Sequence, residues 1–152
     1  MHPWQREAAR LLYTGCVAVI AACGGGKTAA SVLSVMVRNR LEGRTGPPYY
    51  SQLVVSPLNV LKANQQQAFA AAGVPCCAYS PLQLDATAEE RRQHAAVLRG
   101  IKNCEYMVVL VVPEALVGEG APLRDLFRTP HWKKWGFGFV IDEAHLEDPN
   151  EW

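Results

Sequence analysis

Ala21-Ala22-Cys23-Gly24-Gly25-Gly26-Lys27-Thr28 decides how this chain is read. Before it runs Cys16 to Ala22, CVAVIAA, an unbroken apolar stretch of the kind that forms a buried strand. After it, Lys27 to about Leu41 places Val32, Leu33, Met36, Val37 and Leu41 near one side of a helix. A glycine-rich turn between a strand and a helix is the setting of a phosphate-binding loop. Glycines let the backbone turn tightly and bring N–H groups against phosphate oxygens. The helix N-terminus adds its dipole. Lys27 supplies a point charge for the β- and γ-phosphates, and the Thr28 hydroxyl is placed to ligate Mg²⁺. Without its flanks the same stretch would read as a glycine turn followed by a chance Lys-Thr. Position 21 is also alanine where the general pattern has glycine.

Outward from the loop, strand-like and helix-like stretches alternate. Gln52 to Ser56 (QLVVS) is a second strand, closed by Pro57. A helix is expected from Leu58 to about Ala72, ended by Gly73 and Pro75, and a short strand from Cys76 to Tyr79. Ala86 to Leu98 reads as a polar, exposed helix, with Arg91 and Arg92 on an ion-paired face. Tyr106 to Val112 is a third strong strand. Short helical pieces are expected near Glu114 to Val117 and Leu123 to Phe127, and a last strand from Phe137 to Ile141. The strands are continuous apolar runs, as expected of a parallel sheet covered on both faces. The alternation predicts an α/β doubly wound domain, whose ligands bind at the C-terminal ends of the strands.

At that edge the last strand delivers Asp142-Glu143-Ala144-His145. Hydrolysis of a bound triphosphate needs a carboxylate for Mg²⁺ and a group to orient water. Asp142 is the candidate metal residue, Glu143 the candidate for polarising water, and His145 a candidate sensor of the nucleotide. Alone, the tetrapeptide would equally suit a solvated Asp-Glu turn. With the glycine loop upstream, ATP and Mg²⁺ are the expected ligands.

Composition bounds the rest. The 152 residues suit one domain with a real core, 49% apolar and 19% charged. A net charge of +1 decides nothing about nucleic acid, since gripping a strand needs only a local basic surface. Five cysteines without zinc spacing read as reduced thiols, which predicts an intracellular protein, nuclear if the source is eukaryotic. No membrane partner is expected, because no apolar run could span a bilayer. Lys133-Lys134, between Trp132 and Trp135, reads as solvated surface over packed tryptophans rather than as a nucleic-acid patch.

The loop and the Asp142 to His145 tetrapeptide together resemble motifs I and II of superfamily 2 helicases. The A-x-x-G-x-G-K-T form of the loop matches that group at every fixed position. Gly24-Gly25-Gly26-Lys27-Thr28 resembles the triple-glycine loop of RecQ helicases, and Leu53-Val54-Val55-Ser56-Pro57-Leu58 their motif Ia. Val111-Val112-Pro113-Glu114-Ala115-Leu116 resembles their A-P-E-R-L segment, with Ala115 where arginine is usual. Pro3-Trp4-Gln5 resembles the end of the Q motif, with His2 where arginine is usual.

The resemblance implies a first RecA-like domain of the P-loop NTPase class over residues 1–152, cut short after the acidic motif. It implies ATP binding by Gln5, Gly24, Gly25, Gly26, Lys27 and Thr28, with Gln5 reading the adenine edge. Mg²⁺ would be held by Thr28 and Asp142, and Glu143, Asp142, Lys27 and His145 would carry the chemistry. Ser56, Pro57, Leu58 and Lys62 would meet a DNA backbone, single-stranded or at a fork. From the residues alone, Pro57 simply ends a strand and Ser56 caps the next helix. The family unwinds DNA 3′ to 5′ with a second RecA-like domain that supplies an arginine. Two other functions fit the sequence: a superfamily 2 translocase that does not separate strands, and a non-catalytic binding fragment.

Overall fold

The computed structural model describes residues 2–14, 26–56, 59–117 and 120–141. The expected strand at 16–22, residues 21–25 of the glycine loop, Pro57-Leu58 and the tetrapeptide at 142–145 lie outside them.

Among the described residues four strands, β1 (Ser51–Val55), β2 (Cys76–Tyr79), β3 (Val108–Val111) and β4 (Phe137–Ile141), form one sheet in the order β2-β3-β1-β4. Every pairing is parallel. Leu53 stands opposite Val109 on one side and Phe139 on the other, and Cys77 lies opposite Val109. All four C-terminal ends therefore point to one edge.

The helices are α1 (Pro3–Thr14), α2 (Lys27–Leu41), α3 (Asn59–Ala71), α4 (Ala88–Lys102) and α5 (Pro130–Trp135). Period-two alternation assigns the two faces of the sheet. Leu53, Val55, Cys77, Tyr79, Val109 and Val111 pack with Ile101 of α4 and Trp132 of α5. Val54, Val108 and Leu110 face the other way and pack with Val32 and Val35 of α2 and Phe69 of α3. β1 and β3 are buried on both faces, which is why their sequences show no polar alternation.

Most sequence boundaries hold to within a few residues. Gly73, at φ +70°, takes the left-handed turn that ends α3. Two elements were not anticipated. The stretch 3–14, read only as a motif, is helix α1 and lies against α2. Residues 130–135 form α5, which buries Trp132 completely, its indole N–H donating to the Ile101 carbonyl at 2.9 Å. Lys133 and Lys134 stay exposed above it. Helix α4 runs on to Lys102, past the expected end at Leu98, because Ile101 continues the apolar spacing of Val97 and Leu98 into the core. The short helical pieces are 3₁₀ turns at Pro113–Ala115 and Leu126–Arg128. Arg92 pairs with Glu89 at 3.0 Å on the exposed face of α4.

Candidate nucleotide site

The start of α2 is fixed from its far end. Asn39, in the last turn, is fully buried and bonds the backbone of Tyr50, the residue before β1. Arg38 stacks over the Tyr50 ring at 3.9 Å and the Tyr13 ring at 5.5 Å, and pairs with Glu42 at 3.0 Å. The C-terminal turn of α2 is thus held at the edge where β1 begins, while Val32 and Val35 lie on the sheet. A 15-residue helix spans about 22 Å and a five-residue strand about 17 Å. Helix α2 therefore reaches back to the C-terminal edge of the sheet, where Lys27 heads it. Ile141 closes β4 at the same edge, and Asp142 follows it in sequence.

Gly26 precedes α2 at φ +80° and ψ 31°, a left-handed conformation that suits glycine. A Cβ there would run into the Gln5 amide nitrogen. Gln5, on α1 and 7% exposed, donates through Nε2 to the Gly26 carbonyl at 3.2 Å, and its Oε1 accepts from the His2 N–H at 2.8 Å. No acidic residue occupies the first turn of α2, and no side chain caps Gly26. A helix start without an acidic residue in its first turn has a dipole that favours an anion. Two sequence-expected site residues, Gln5 and Lys27, are therefore brought to one end of α2. The Thr28 and Lys62 side chains are outside the described set, as are Gly24, Gly25, Asp142, Glu143 and His145. The contact between Gln5 and Gly26 was missed by sequence reasoning.

Ser56 follows β1 at the same edge. It is 1% exposed, and its hydroxyl has no hydrogen-bond partner among the described residues. It therefore does not cap α3. Ala115, where the resembling segment has arginine, is fully buried in the core beneath α4 and α5. A guanidinium could not occupy that position without its own buried partners, so the departure follows from the packing.

A family model for DEAD/DEAH box helicases matches residues 2–150. The chain belongs to that family. As a DEAD/DEAH box helicase domain it has the RecA-like α/β fold that the four parallel strands and flanking helices display. Such a domain serves nucleic-acid-dependent ATPase and helicase activity. Helicase domains of this family bind ATP, typically with Mg²⁺, and nucleic acid. Among curated proteins no match was found. No described helix of this domain is long and apolar enough to cross a membrane. Among the described residues no three metal-binding side chains cluster. A hydroxyl and a carboxylate, as Thr28 and Asp142 offer, are the hard oxygen donors that Mg²⁺ prefers.

Proposed function

We propose that this domain is the ATP-binding part of a RecQ-type DNA helicase that unwinds 3′ to 5′. The observation that carries the nucleotide part is the direction of α2. Its first residue, Lys27, heads the helix at the edge where β4 ends, one residue before Asp142. Phosphates lie on the Gly24 to Thr28 turn, with Lys27 countering their charge and Gln5 holding adenine. Thr28 and Asp142 would hold Mg²⁺, which would supply positive charge against that developing on the phosphates. Glu143 orients the attacking water, and His145 couples the nucleotide to the rest of the motor. The RecQ assignment rests on the triple glycine, on Ser56-Pro57-Leu58 and on Pro113-Glu114. Ser56, Pro57, Leu58 and Lys62 are the proposed DNA contacts. The free thiols of Cys76, Cys77 and Cys104 support an intracellular setting.

This reading needs a second RecA-like domain to complete the ATP cleft, since an arginine finger contributes roughly 10³ to 10⁵ in rate. Residues 1–152 expressed on their own are expected to bind Mg-ATP weakly and to turn it over very slowly. Equilibrium binding of a fluorescent ATP analogue, with Lys27→Ala as the control, tests the first point: binding that survives the substitution refutes the phosphate role. Rapid turnover stimulated by single-stranded DNA in this chain alone would refute the need for a partner domain. Strand displacement by a protein carrying both domains, on substrates with 3′ or 5′ overhangs, tests the RecQ assignment. ATP turnover without displacement would make it a translocase instead.

A further inference from the structure

We propose that the edge of the sheet where the strands begin, opposite the nucleotide site, is a second nucleic-acid surface, on which cations at the ends of three helices hold a phosphate backbone. It depends on neither the ATP contacts nor the RecQ assignment. Helices α2, α4 and α5 each run back to that edge, because each precedes a strand of the parallel sheet, β1, β3 and β4 in turn. Their exits meet around residues 49 and 50. Asn39 of α2 bonds the Tyr50 backbone, and the Cys104 carbonyl after α4 accepts from the Tyr49 N–H at 2.8 Å. A Cβ on Gly136, after α5, would meet the Tyr50 ring at 3.3 Å. Three helix ends far apart in sequence are thus neighbours in space.

Each of these ends is basic. Arg38 and Arg40 close α2, Arg99 and Lys102 close α4, and Lys133 and Lys134 close α5. All but Arg38 are exposed, and Arg38 is engaged with Tyr50 and Glu42. The nearby carboxylates are already in use. Glu42 also pairs with Arg44, Glu105 accepts from Asn103 at 3.2 Å, and Asp125, before α5, pairs with Arg128 at 3.3 Å. Among the described residues no carboxylate pairs with Arg40, Arg99, Lys102 or Lys133. A cation in a last turn also favours its own helix dipole. That does not account for α5, which has only six residues yet carries two lysines. Nor does it account for like charges gathered on one edge, which repel until a counter-charge joins them. With a helix layer about 10 Å thick on each face of the sheet, the cations reach across roughly 20 Å, the length of about six phosphates along one strand. The charge is one-sided as well: α4 opens on Glu89 and Glu90 at the other edge. A net charge of +1 therefore conceals a basic edge suited to a polyanion. Contacts of this kind go to phosphate and carry no sequence preference.

The probe is a blunt DNA duplex of about 20 base pairs, longer than that span, with no nucleotide present. Its affinity is measured across salt concentrations for wild type and for a variant combining Arg40→Gln, Arg99→Gln, Lys102→Gln and Lys133→Gln. A control combines Arg91→Gln and Arg92→Gln, nearer the opposite edge on α4, and the thermal midpoint checks folding. Each lost phosphate contact lowers the slope of log affinity against log salt by about one. The fourfold variant should therefore lose about three to four units of slope and bind about tenfold more weakly at low salt, while the control keeps the wild-type slope. If the fourfold variant does not fold, Arg99→Gln with Lys102→Gln carries the test, with about two units expected. An unchanged slope overturns the surface, and a fall in midpoint alone assigns the cations to their helix dipoles. An equal loss of slope in the control overturns it too, because bulk charge would then explain the binding. Poly-glutamate and phosphatidylserine vesicles are measured alongside. If either loses affinity in the fourfold variant while DNA does not, the partner is not nucleic acid and the proposal fails.

Discussion

Asn39 takes hold of Tyr50 by both of its backbone polar groups. Its side-chain oxygen accepts from the Tyr50 N–H at 2.8 Å, and its nitrogen donates to the Tyr50 carbonyl at 2.9 Å. The same nitrogen reaches the Val35 carbonyl at 2.9 Å, and Asn39 is fully buried. A side chain on α2 thus continues the hydrogen bonding of β1 by one residue. Replacing Asn39 with alanine leaves the Tyr50 N–H and carbonyl without this partner. The expected loss is about 2 to 4 kcal/mol, read from urea denaturation. Asn39→Asp should be no better at neutral pH, because a carboxylate oxygen would face two carbonyls. A loss below about 0.5 kcal/mol in both variants would show that the clasp is not what holds α2.

Tyr79 behaves in the opposite way. It is 1% exposed, and its hydroxyl has no hydrogen-bond partner among the described residues. Burial pushes its pKa up to about 12. A raised folded-state pKa gives stability that is whole below the unfolded value near 10 and is lost as pH rises towards about 12. Tyr79→Phe deletes an unsatisfied buried group, so the variant should match or exceed wild type at pH 7. Its thermal midpoint should also fall less between about pH 10 and 12. A clear loss of stability at pH 7 would mean that the hydroxyl has a partner in solution.

Helix α4 begins with a capping box. The Glu90 N–H donates to the Thr87 hydroxyl at 3.2 Å, and the Thr87 N–H donates back to the Glu90 carboxylate at 2.7 Å. Thr87→Ala should cost about 1 kcal/mol. The bonds from the Thr87 backbone and hydroxyl hold the Glu90 pKa below its ordinary value. A lowered folded-state pKa means stability present above the unfolded value and lost as pH falls through the folded one. Glu90→Gln should therefore flatten the acid limb of the stability profile. If the limb keeps its slope, the box is open in solution.

The sheet was legible because burial on both faces leaves continuous apolar runs; Val108 to Val111 could hardly be anything else. The order of the strands was not legible, since nothing local in Phe137 to Ile141 says that it pairs with β1. Helix α1 leaves only a weak signal in the sequence. Gln5, Ala8, Ala9 and Leu12 recur at i, i+3, i+4 and i+7, but small and polar residues make a faint stripe. The start of a helix at Lys27 was legible from the glycines that precede it in sequence. Its neighbour Gln5 was legible only as a resemblance, because its partner is a backbone carbonyl at Gly26 and carbonyls carry no sequence signature. The burial of Ser56 could not be read from a strand-ending Ser-Pro, which looks the same in a solvated turn.

Parallel pairing of β1 with both β3 and β4 also has a consequence for synthesis. Val55 needs Val111 on one side and Ile141 on the other, and both are made long after it. During translation the central strand must wait with its edges open, and it gains its last neighbour only when 137–141 has emerged. Late, non-local closure of this kind slows folding and exposes apolar edges to other chains in the interval. Nascent chains of this domain should thus need shielding until that segment arrives.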